Sequence, residues 1–293
     1  MKISASMVKD LRERTGAGMM ECKNALDAAD GDIEAAIVAL RKSGQAKAAK
    51  RAGKIAGEGL ILLRVDEDKK TGFMVEVNCE TDFVSRSDQF RAFANQVVEV
   101  GLVNKNQNEE SLKETALANN QSVEQVKQHL VAQVGENINI RRATLLQSEG
   151  IVGGYLHGER IGVLVALDKA NQQLAHDIAM HIAATNPLAI DNSSLSQSLI
   201  QKEREIFSAQ AKESGKPEHI IEKMVEGRVE KYLQEVCLVN QPFVKNPDQT
   251  ISEFLKANQA KVIAFTRYEV GEGIEKRELD FASEVKAQLQ ENT

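Results

Sequence analysis

Histidines and cysteines are the side chains in this sequence most able to do chemistry, yet their spacing predicts neither a catalytic site nor a metal site. His176 and His181 are five residues apart, and a helix turns such a pair about 140° away from each other, unlike the i, i+4 pair of a zinc metalloprotease. We therefore expect both at the surface or at the edge of the core. Three widely separated cysteines, Cys22, Cys79 and Cys237, predict reduced thiols rather than a disulfide framework or a zinc site.

Two further segments share single features with enzyme active sites. Gly16-Ala17-Gly18 begins like a phosphate-binding loop, but position 21 is Glu and the preceding residues have helical rather than strand periodicity. His157 lies in a predicted hairpin turn, with no Cys or Ser in a recognisable nucleophile setting nearby. The sequence therefore predicts no covalent catalysis, no phosphate-binding loop for a nucleoside triphosphate and no bound cofactor.

One connection between a predicted strand and a predicted helix is unusual because it is partly apolar: Thr81, Asp82, Phe83 and Val84. A large apolar side chain beside an Asp at such a position is typical of a contact with another molecule. The alternative is that Phe83 packs back under the preceding hairpin, while Asp82 or Asp88 caps the next helix. Composition alone favours this packing alternative.

Length and composition indicate a folded chain of about two domains. The 293 residues are 42% apolar and 27% charged, with a net charge of −6 and only 4% aromatic residues. An acidic chain with few rings has neither the overall field nor the stacking surfaces typical of nucleic-acid binding. Apolar runs are strand-sized and the N-terminus has no apolar signal segment, so we expect a cytoplasmic protein that does not contact a membrane.

Residues 1–54 differ from the remainder in charge and periodicity. They carry a net charge of +4, with six Lys or Arg side chains and no acid from Arg41 to Lys54. Helical periodicity predicts three short helices, the last of which ends at Ser43 and Gly44. We therefore predict a three-helix module of about 45 residues, followed by a linker or a further helical stretch.

From Gly57 onward the periodicity is that of strands, and the chain nearly repeats itself. Residues 58–77 and 149–167 each open with Glu-Gly and continue as two apolar runs separated by a polar turn, which predicts a β-hairpin in each. An amphipathic helix follows each hairpin, at residues 90–98 and 174–182. The repeat predicts a duplicated α+β core of antiparallel sheets with helices.

Two polar, helical insertions interrupt this repeat, at residues 104–134 and in a helical hairpin at about 196–236. The first arm of the hairpin has few apolar residues, so we expect the hairpin to project from the core or to pair with another chain as a coiled coil. A last helix is predicted from Phe281, Val285 and Leu289. The resulting α+β organisation divides the chain into residues 1–54, 55–148, 149–274 and 275–293.

Several blocks of the sequence resemble the elongation factor Ts family, in the family's order and over nearly the whole chain. The likeness is carried by Glu-Val-Asn-Cys-Glu-Thr-Asp-Phe-Val, which ends at Val84, and by the segment around Met19 and Met20. The other matching blocks are residues 135–142, 157–165 and 241–244. The resemblance implies a guanine-nucleotide exchange factor that binds elongation factor Tu in its GDP-bound and nucleotide-free states, without covalent chemistry, a cofactor or direct nucleic-acid contact.

The resemblance also implies a docking role for the N-terminal module, which is similar to a ubiquitin-associated domain. Arg12, Met19 and Met20 would contact the nucleotide-binding domain of the GTPase. Methionine suits such a contact because its flexible side chain fills irregular grooves. The alternative is that the two methionines complete the small core of the three-helix module.

A second implied contact is made by the segment 81–84, whose members are Thr81, Asp82, Phe83 and Val84. On the likeness to the family, Phe83 would enter the GTPase near its switch helices and Asp82 would support displacement of the magnesium-binding region. Val134 and Gly135 match positions that support this insertion. His157 would belong to a hairpin that touches the third domain of the GTPase, and the last helix would add a contact with the nucleotide-binding domain.

Three other functions are considered from the residues alone. An adaptor would recruit a partner through the three-helix module and dimerise through the helical hairpin, without changing nucleotide release. An RNA-associated protein would use the basic stretch from Arg41 to Lys54, and its binding would depend steeply on salt. A metal-dependent hydrolase is disfavoured because neither the histidines nor the cysteines have ligand spacing.

Overall fold

The structure is a computed structural model that describes residues 3–118, 120–169, 171–213 and 217–275. It has the mixed α+β fold with antiparallel sheets that the sequence predicts. The predicted last helix, from Phe281 to Leu289, lies outside the described residues. None of the described helices has the length and apolarity that crossing a bilayer requires.

The N-terminal module consists of three helices that begin and end at recognisable caps. Ser4 and Asp32 accept hydrogen bonds from backbone amides at the starts of the first and third helices, and Gly16 ends the first helix in the left-handed region at φ 67°. Cys22, Leu11 and Leu26 are completely buried between the helices. The helices are α1 (Ala5–Thr15), α2 (Met19–Ala28) and α3 (Ile33–Arg51).

Helix α3 does not end at Ser43 and Gly44, so the predicted helix end is wrong. It continues to Arg51 because its second half packs on a helix of the core, and a β-carbon on the buried Gly44 would lie 3.4 Å from the Cβ of Ala132. Tertiary packing of this kind overrides the low helix propensity of glycine. The module is therefore joined to the core by a continuous helix rather than by a linker that begins at Gly44.

The first half of the core is a three-stranded antiparallel sheet in the order β1-β2-β3, covered on one face by helices. Phe73 and Phe90, both completely buried, belong to one apolar cluster between the sheet and the helices. The elements are β1 (Glu58–Val65), β2 (Thr71–Cys79), α4 (Asp82–Ser85), α5 (Asp88–Val103), α6 (Glu109–Lys113), α7 (Val123–Val134) and β3 (Ile138–Gln147).

The second half repeats this arrangement with the strand order β4-β5-β8. In both halves a hairpin leads to an amphipathic helix and then to an insertion, and the third strand returns to pair with the second. The duplication predicted from the sequence is thus present in the strand order and in the connections. The elements are β4 (Ile151–His157), β5 (Ile161–Leu167), α8 (Gln172–Thr185), α9 (Gln197–Lys212), α10 (Glu218–Val236), a 3-10 turn (Leu238–Asn240), β6 (Pro242–Phe243), β7 (Asn246–Thr250), α11 (Ile251–Ala257) and β8 (Val262–Glu269).

The two halves pack through the faces of their sheets that the helices leave uncovered. Ile61 and Met74 from the first sheet meet Val152 and Leu164 from the second in one buried cluster. The sheets approach so closely that a β-carbon on Gly162 would lie 2.5 Å from Ile61. Strand β2 is therefore buried along its whole length, and the residues that follow it start from the core.

A buried carboxylate reinforces this interface. Glu76 of β2 is inaccessible to solvent and pairs with Arg142 at 2.5 Å and Arg141 at 3.2 Å, while its Oε1 accepts from the backbone N–H of Gly271 at 2.8 Å. Burial raises the pKa of Glu76, but the hydrogen bonds from Gly271, Asn78 and Arg142 outweigh it and leave that pKa below its usual value. The ionised carboxylate thus ties the first sheet to the chain after β8.

Helices α9 and α10 form the predicted helical hairpin. Its apolar cluster is built from its own two arms, with Ala211, Val225 and Val229 as the buried residues. This packing agrees with a hairpin that projects from the core. Residues 214–216, between the arms, lie outside the described residues.

Candidate functional site

The segment 81–84 leaves the end of strand β2 and forms a single helical turn. Thr81 caps this turn, because its Oγ accepts a hydrogen bond from the N–H of Val84 at 3.4 Å. Phe83 is 83% exposed, so the packing alternative, in which this ring turns back under the hairpin, is wrong. The ring of Phe83 is therefore exposed to solvent on a turn that directly follows a buried strand.

The neighbours of Phe83 have different environments. Val84 is partly buried and packs against the first core cluster, whereas Asp82 is about half exposed and forms an ion pair with Arg86 at 3.0 Å. Neither Asp82 nor Asp88 caps the following helix, because Ser87 accepts the hydrogen bond from its first turn. One side of the segment is therefore anchored in the core, while Asp82 and Phe83 remain available for contact.

Val134 and Gly135 lie beside this segment, at the end of helix α7. Gly135 ends the helix in the left-handed region at φ 75°, which glycine adopts with little strain. The turn places Glu136 so that its carboxylate accepts from both the N–H of Thr81, at 3.0 Å, and the hydroxyl of Thr81, at 2.7 Å. Sequence reasoning missed Glu136, although it lies next to Gly135 in the same matching block.

A second set of hydrogen bonds connects this region to the end of the N-terminal module. The carboxylate of Glu80 accepts from the backbone N–H of Asn137 at 2.6 Å and from Arg51 at 3.4 Å. The side-chain amide of Asn137 in turn donates to the carbonyl of Lys54 at 2.7 Å. The last turn of α3, the segment 81–84 and the start of β3 thus form one connected network.

Cys79, at the end of β2, contacts the segment 81–84 through its thiol. It is completely buried and donates to the carbonyl oxygen of Thr81 at 3.1 Å. Burial raises the pKa of the Cys79 thiol to about 12, and the carboxylates of Glu136 and Glu58 act in the same direction. The thiol is therefore protonated and supports the segment structurally.

The N-terminal module carries the other predicted contact residues on its surface. Met19 and Met20 are 58% and 65% exposed at the start of α2, because the buried face of that helix is formed by Cys22, Ala25 and Leu26. The alternative, in which the methionines complete the small core, is wrong. Arg12 is also exposed.

His157 lies exposed at the end of β4, and its Nδ1 is 3.2 Å from the hydroxyl of Tyr155. The adjacent turn is tied to the first half of the core, because Glu159 forms a two-pronged ion pair with Arg91 at 2.8 and 3.2 Å. The structure therefore brings Val134 and Gly135 to the segment 81–84. It places the N-terminal residues on a separate module and His157 on the second sheet.

The histidines of α8 differ from expectation. His176 is exposed, but His181 is completely buried. Its Nδ1 accepts from the N–H of Val244 at 3.3 Å, and its Nε2 lies 2.9 Å from Oε1 of Gln241. Burial lowers the pKa of His181, and the hydrogen bond to Gln241 opposes that effect without cancelling it. His181 is thus a neutral core residue with both nitrogens satisfied.

The residues that the structure describes contain no candidate metal site. No group of three or more His, Cys, Asp or Glu side chains in those ranges is arranged to hold a metal ion. The exposed side chains described above are apolar at Phe83, Met19 and Met20 and charged at Asp82 and Arg12, a combination that suits contact with another macromolecule.

Comparison with known proteins identifies the class. The model of the elongation factor Ts family matches residues 80–272, about two thirds of the chain. The elongation factor Ts of Legionella pneumophila is 52% identical over 287 residues, which are 98% of each chain. Those of Methylococcus capsulatus and Coxiella burnetii are each 53% identical, over 290 and 292 residues, and cover 99% of both chains.

The α+β fold and these matches define a translation elongation factor. More specifically, the chain belongs to the elongation factor Ts family, because the family model matches about two thirds of it and relatives of 52% and 53% identity match nearly its whole length. The resemblance found in the sequence is confirmed.

Proposed function

We propose that the protein is a guanine-nucleotide exchange factor that binds elongation factor Tu in the cytoplasm and releases its GDP without covalent chemistry. The observation that carries this proposal is the exposed Phe83, held on a short turn that grows from a buried strand. Phe83 would enter the GTPase near its switch helices, while Asp82 would support displacement of the magnesium-binding region. Thr81 and Val84 would hold the two ends of the inserted turn.

Thermodynamic linkage explains how such a contact releases a nucleotide. A partner that binds the nucleotide-free form better than the GDP-bound form must weaken GDP binding by the same factor. A thousandfold weakening corresponds to about 4 kcal/mol of differential binding. Burial of one Phe side chain supplies about 1.5 to 3 kcal/mol, so the remainder must come from a wider interface.

The wider interface would use several parts of the chain, which we propose to divide at residues 54, 148 and 274. Arg12, Met19 and Met20 would dock on the nucleotide-binding domain, and the three-helix module that carries them would be like a ubiquitin-associated domain in fold. His157 and its hairpin would contact the third domain of the GTPase. Val134 and Gly135, at the end of α7, would support the inserted segment 81–84. Neither nucleic acid nor a membrane takes part in this proposal.

The test is the release of fluorescently labelled GDP from elongation factor Tu. A catalytic amount of the protein is expected to accelerate release, because each molecule dissociates and acts again. An adaptor would form a complex with the GTPase and leave the release rate unchanged. If an excess of the protein also leaves that rate unchanged, the proposed function is wrong.

A further inference from the structure

The polar backbone and side-chain groups of Thr81 are all engaged by neighbouring residues. The carboxylate of Glu136 accepts from its N–H at 3.0 Å and from its hydroxyl at 2.7 Å. The thiol of Cys79 donates to its carbonyl oxygen at 3.1 Å. Thr81 is therefore fixed at three points, two of which are bonds to one carboxylate.

Phe83 depends on this anchor because the element that carries it is very short. Helix α4 has only four residues, Asp82–Ser85, and a helix of one turn is unstable by itself since its nucleation is unfavourable. Hydrogen bonds to an ionised carboxylate are shorter and stronger than those between neutral groups. Glu136 thus supplies two strong bonds at the residue from which the turn begins.

Glu136 comes from a different part of the chain, 55 residues after Thr81. It is itself placed by the left-handed turn at Gly135, and the neighbouring Asn137 is held by Glu80 at 2.6 Å. The carboxylate therefore sits on a fixed support between α7 and β3. A group that is held before binding reduces the ordering that binding requires.

We propose that Glu136 is a positioning residue for nucleotide exchange, which fixes the direction of Phe83 by holding Thr81. This inference rests on the proposed function, since it assigns Glu136 a part in the insertion of Phe83. Glu136 acts through Thr81 and needs no contact with the partner. Its loss lowers the release rate at saturating factor more than it lowers affinity, because docking surfaces elsewhere are unchanged.

The chain contains a matched control for this pair. Glu253 accepts from the N–H of Thr250 at 2.8 Å and from its hydroxyl at 3.0 Å, a comparable Thr–Glu pair at the start of α11 in which one carboxylate oxygen accepts both bonds, whereas at Glu136 each oxygen accepts one. Glu136→Gln and Glu253→Gln therefore remove the same charge and disturb the corresponding two bonds. Only the first variant disturbs the base of the segment 81–84.

The kinetic experiment measures labelled-GDP release from elongation factor Tu as a function of factor concentration. Glu136→Gln and Thr81→Val are each expected to lower the saturating rate about tenfold, equivalent to about 1.4 kcal/mol, while the half-saturating concentration changes less than threefold. The double variant should lose less than the sum of the two single losses, because both variants disturb the bond between the Thr81 hydroxyl and Glu136. Glu253→Gln should remain near the wild-type rate.

A second readout needs no partner. The chain contains no tryptophan, so Phe83→Trp introduces a single reporter whose anisotropy decay measures local motion. Adding Glu136→Gln should increase the amplitude of fast motion of this reporter, and adding Glu253→Gln should not. Equal decays in all three proteins would overturn the positioning role, whatever the exchange assay gives.

The outcomes separate this inference from the proposed function. If the wild type accelerates release and Glu136→Gln does so equally well, the positioning role is wrong and the exchange function stands. If the wild type fails to accelerate release, the role in exchange is wrong for Glu136 as well, and the anisotropy result then concerns only the order of the segment. A Glu136→Gln variant that is about tenfold slower at saturation, and whose half-saturating concentration changes less than threefold, supports the proposal.

Discussion

At the scale of single residues, Phe83 is a large apolar side chain that lies exposed to solvent. A phenylalanine that is 83% exposed gives up the 1.5 to 3 kcal/mol that burial of a large apolar side chain provides. Its neighbour Val84 packs against the core from the same turn. The exposure of Phe83 therefore follows from the direction of the turn rather than from a lack of core to enter.

Phe83→Ala is expected to lower the saturating GDP-release rate by about 10- to 100-fold, since it removes roughly 1.5 to 3 kcal/mol of contact made on insertion. Affinity for elongation factor Tu should change far less, because the docking surfaces remain. Stopped-flow release at saturating factor measures the first effect. Val103→Ala, which truncates another exposed apolar side chain at the far end of α5, serves as the control. An unchanged release rate for Phe83→Ala would remove this residue from the mechanism.

His181 gives a prediction about pH. Its pKa in the folded protein is lowered by burial, whereas an unfolded histidine has a pKa of about 6.5. As the pH falls below about 6.5, His181 therefore binds a proton in the unfolded chain but not in the folded chain. The free energy of unfolding falls as a result. The slope for one histidine is at most about 1.4 kcal/mol per pH unit.

Urea unfolding at pH 7.5 and 5.5 measures this effect, and His181→Gln should lessen the difference between the two. Burial and the nearby Arg41 also lower the pKa of His129, so part of the pH dependence should remain in the variant. In the neutral side chain, Nδ1 of His181 accepts from the N–H of Val244. When His181 is protonated, Nδ1 carries a hydrogen and this bond is lost. An identical pH dependence in wild type and variant would contradict this account.

At the scale of elements, the contact of helix α5 with the first sheet depends on a glycine. A β-carbon on Gly101 would lie 2.1 Å from the ring of Phe73, which is completely buried. Gly227 of α10 is also helical, but it is exposed and a β-carbon there would have no neighbour within 4 Å. The same substitution should therefore have opposite effects at the two positions.

Gly101→Ala is expected to destabilise the protein by about 1 to 3 kcal/mol, because the ring of Phe73 must move in a packed core. Gly227→Ala should stabilise the hairpin by up to about 1 kcal/mol through improved helix propensity. Urea unfolding followed by circular dichroism measures both changes. Destabilisation by Gly227→Ala, or no effect of Gly101→Ala, would contradict the packing described for these helices.

The elements differ in how far the sequence predicts them. The hairpins β1-β2 and β4-β5 follow from local alternation and turn residues, which act over a few positions. Strand β3 was not predicted from the sequence because Arg141 and Arg142 interrupt its apolar pattern. Both arginines pair with the buried Glu76 on the neighbouring strand. The end of α3 was missed for a similar reason, since the packing of Gly44 on α7 is a contact between distant parts of the chain.

The candidate site, too, is predicted from the sequence only in part, because some of its features depend on contacts between distant parts of the chain. Family motifs predict the segment 81–84 with Val134 and Gly135, and the bonds from Thr81 to Glu136 bring the end of α7 next to that segment. The exposure of Phe83 and the bonds from Thr81 to Glu136 require knowledge of how α7 ends beside β2. Residue types therefore indicate which segments matter, while the directions of their side chains depend on tertiary contacts.

At the scale of the whole molecule, the N-terminal module and the core are not separated by a free linker. Ala48, in the second half of α3, packs against the first core cluster, and Asn137 donates to the carbonyls of Lys54 and Ala52. Removal of residues 1–54 would therefore uncover part of the core. Removal of residues 1–40 deletes α1, α2 and the first half of α3, and it leaves these contacts in place.

The truncation of residues 1–40 is expected to weaken binding to elongation factor Tu at least tenfold, because a second linked contact raises affinity by its effective concentration. The release rate at saturating factor should stay within about twofold of the full chain, since the segment 81–84 is unchanged. Titration of labelled GDP release gives both quantities, and circular dichroism with urea checks that the core still unfolds cooperatively. Truncation of residues 1–54 should show the same loss of affinity and a lower stability as well. If the chain without residues 1–40 binds as tightly as the full chain, Arg12, Met19 and Met20 have no docking role.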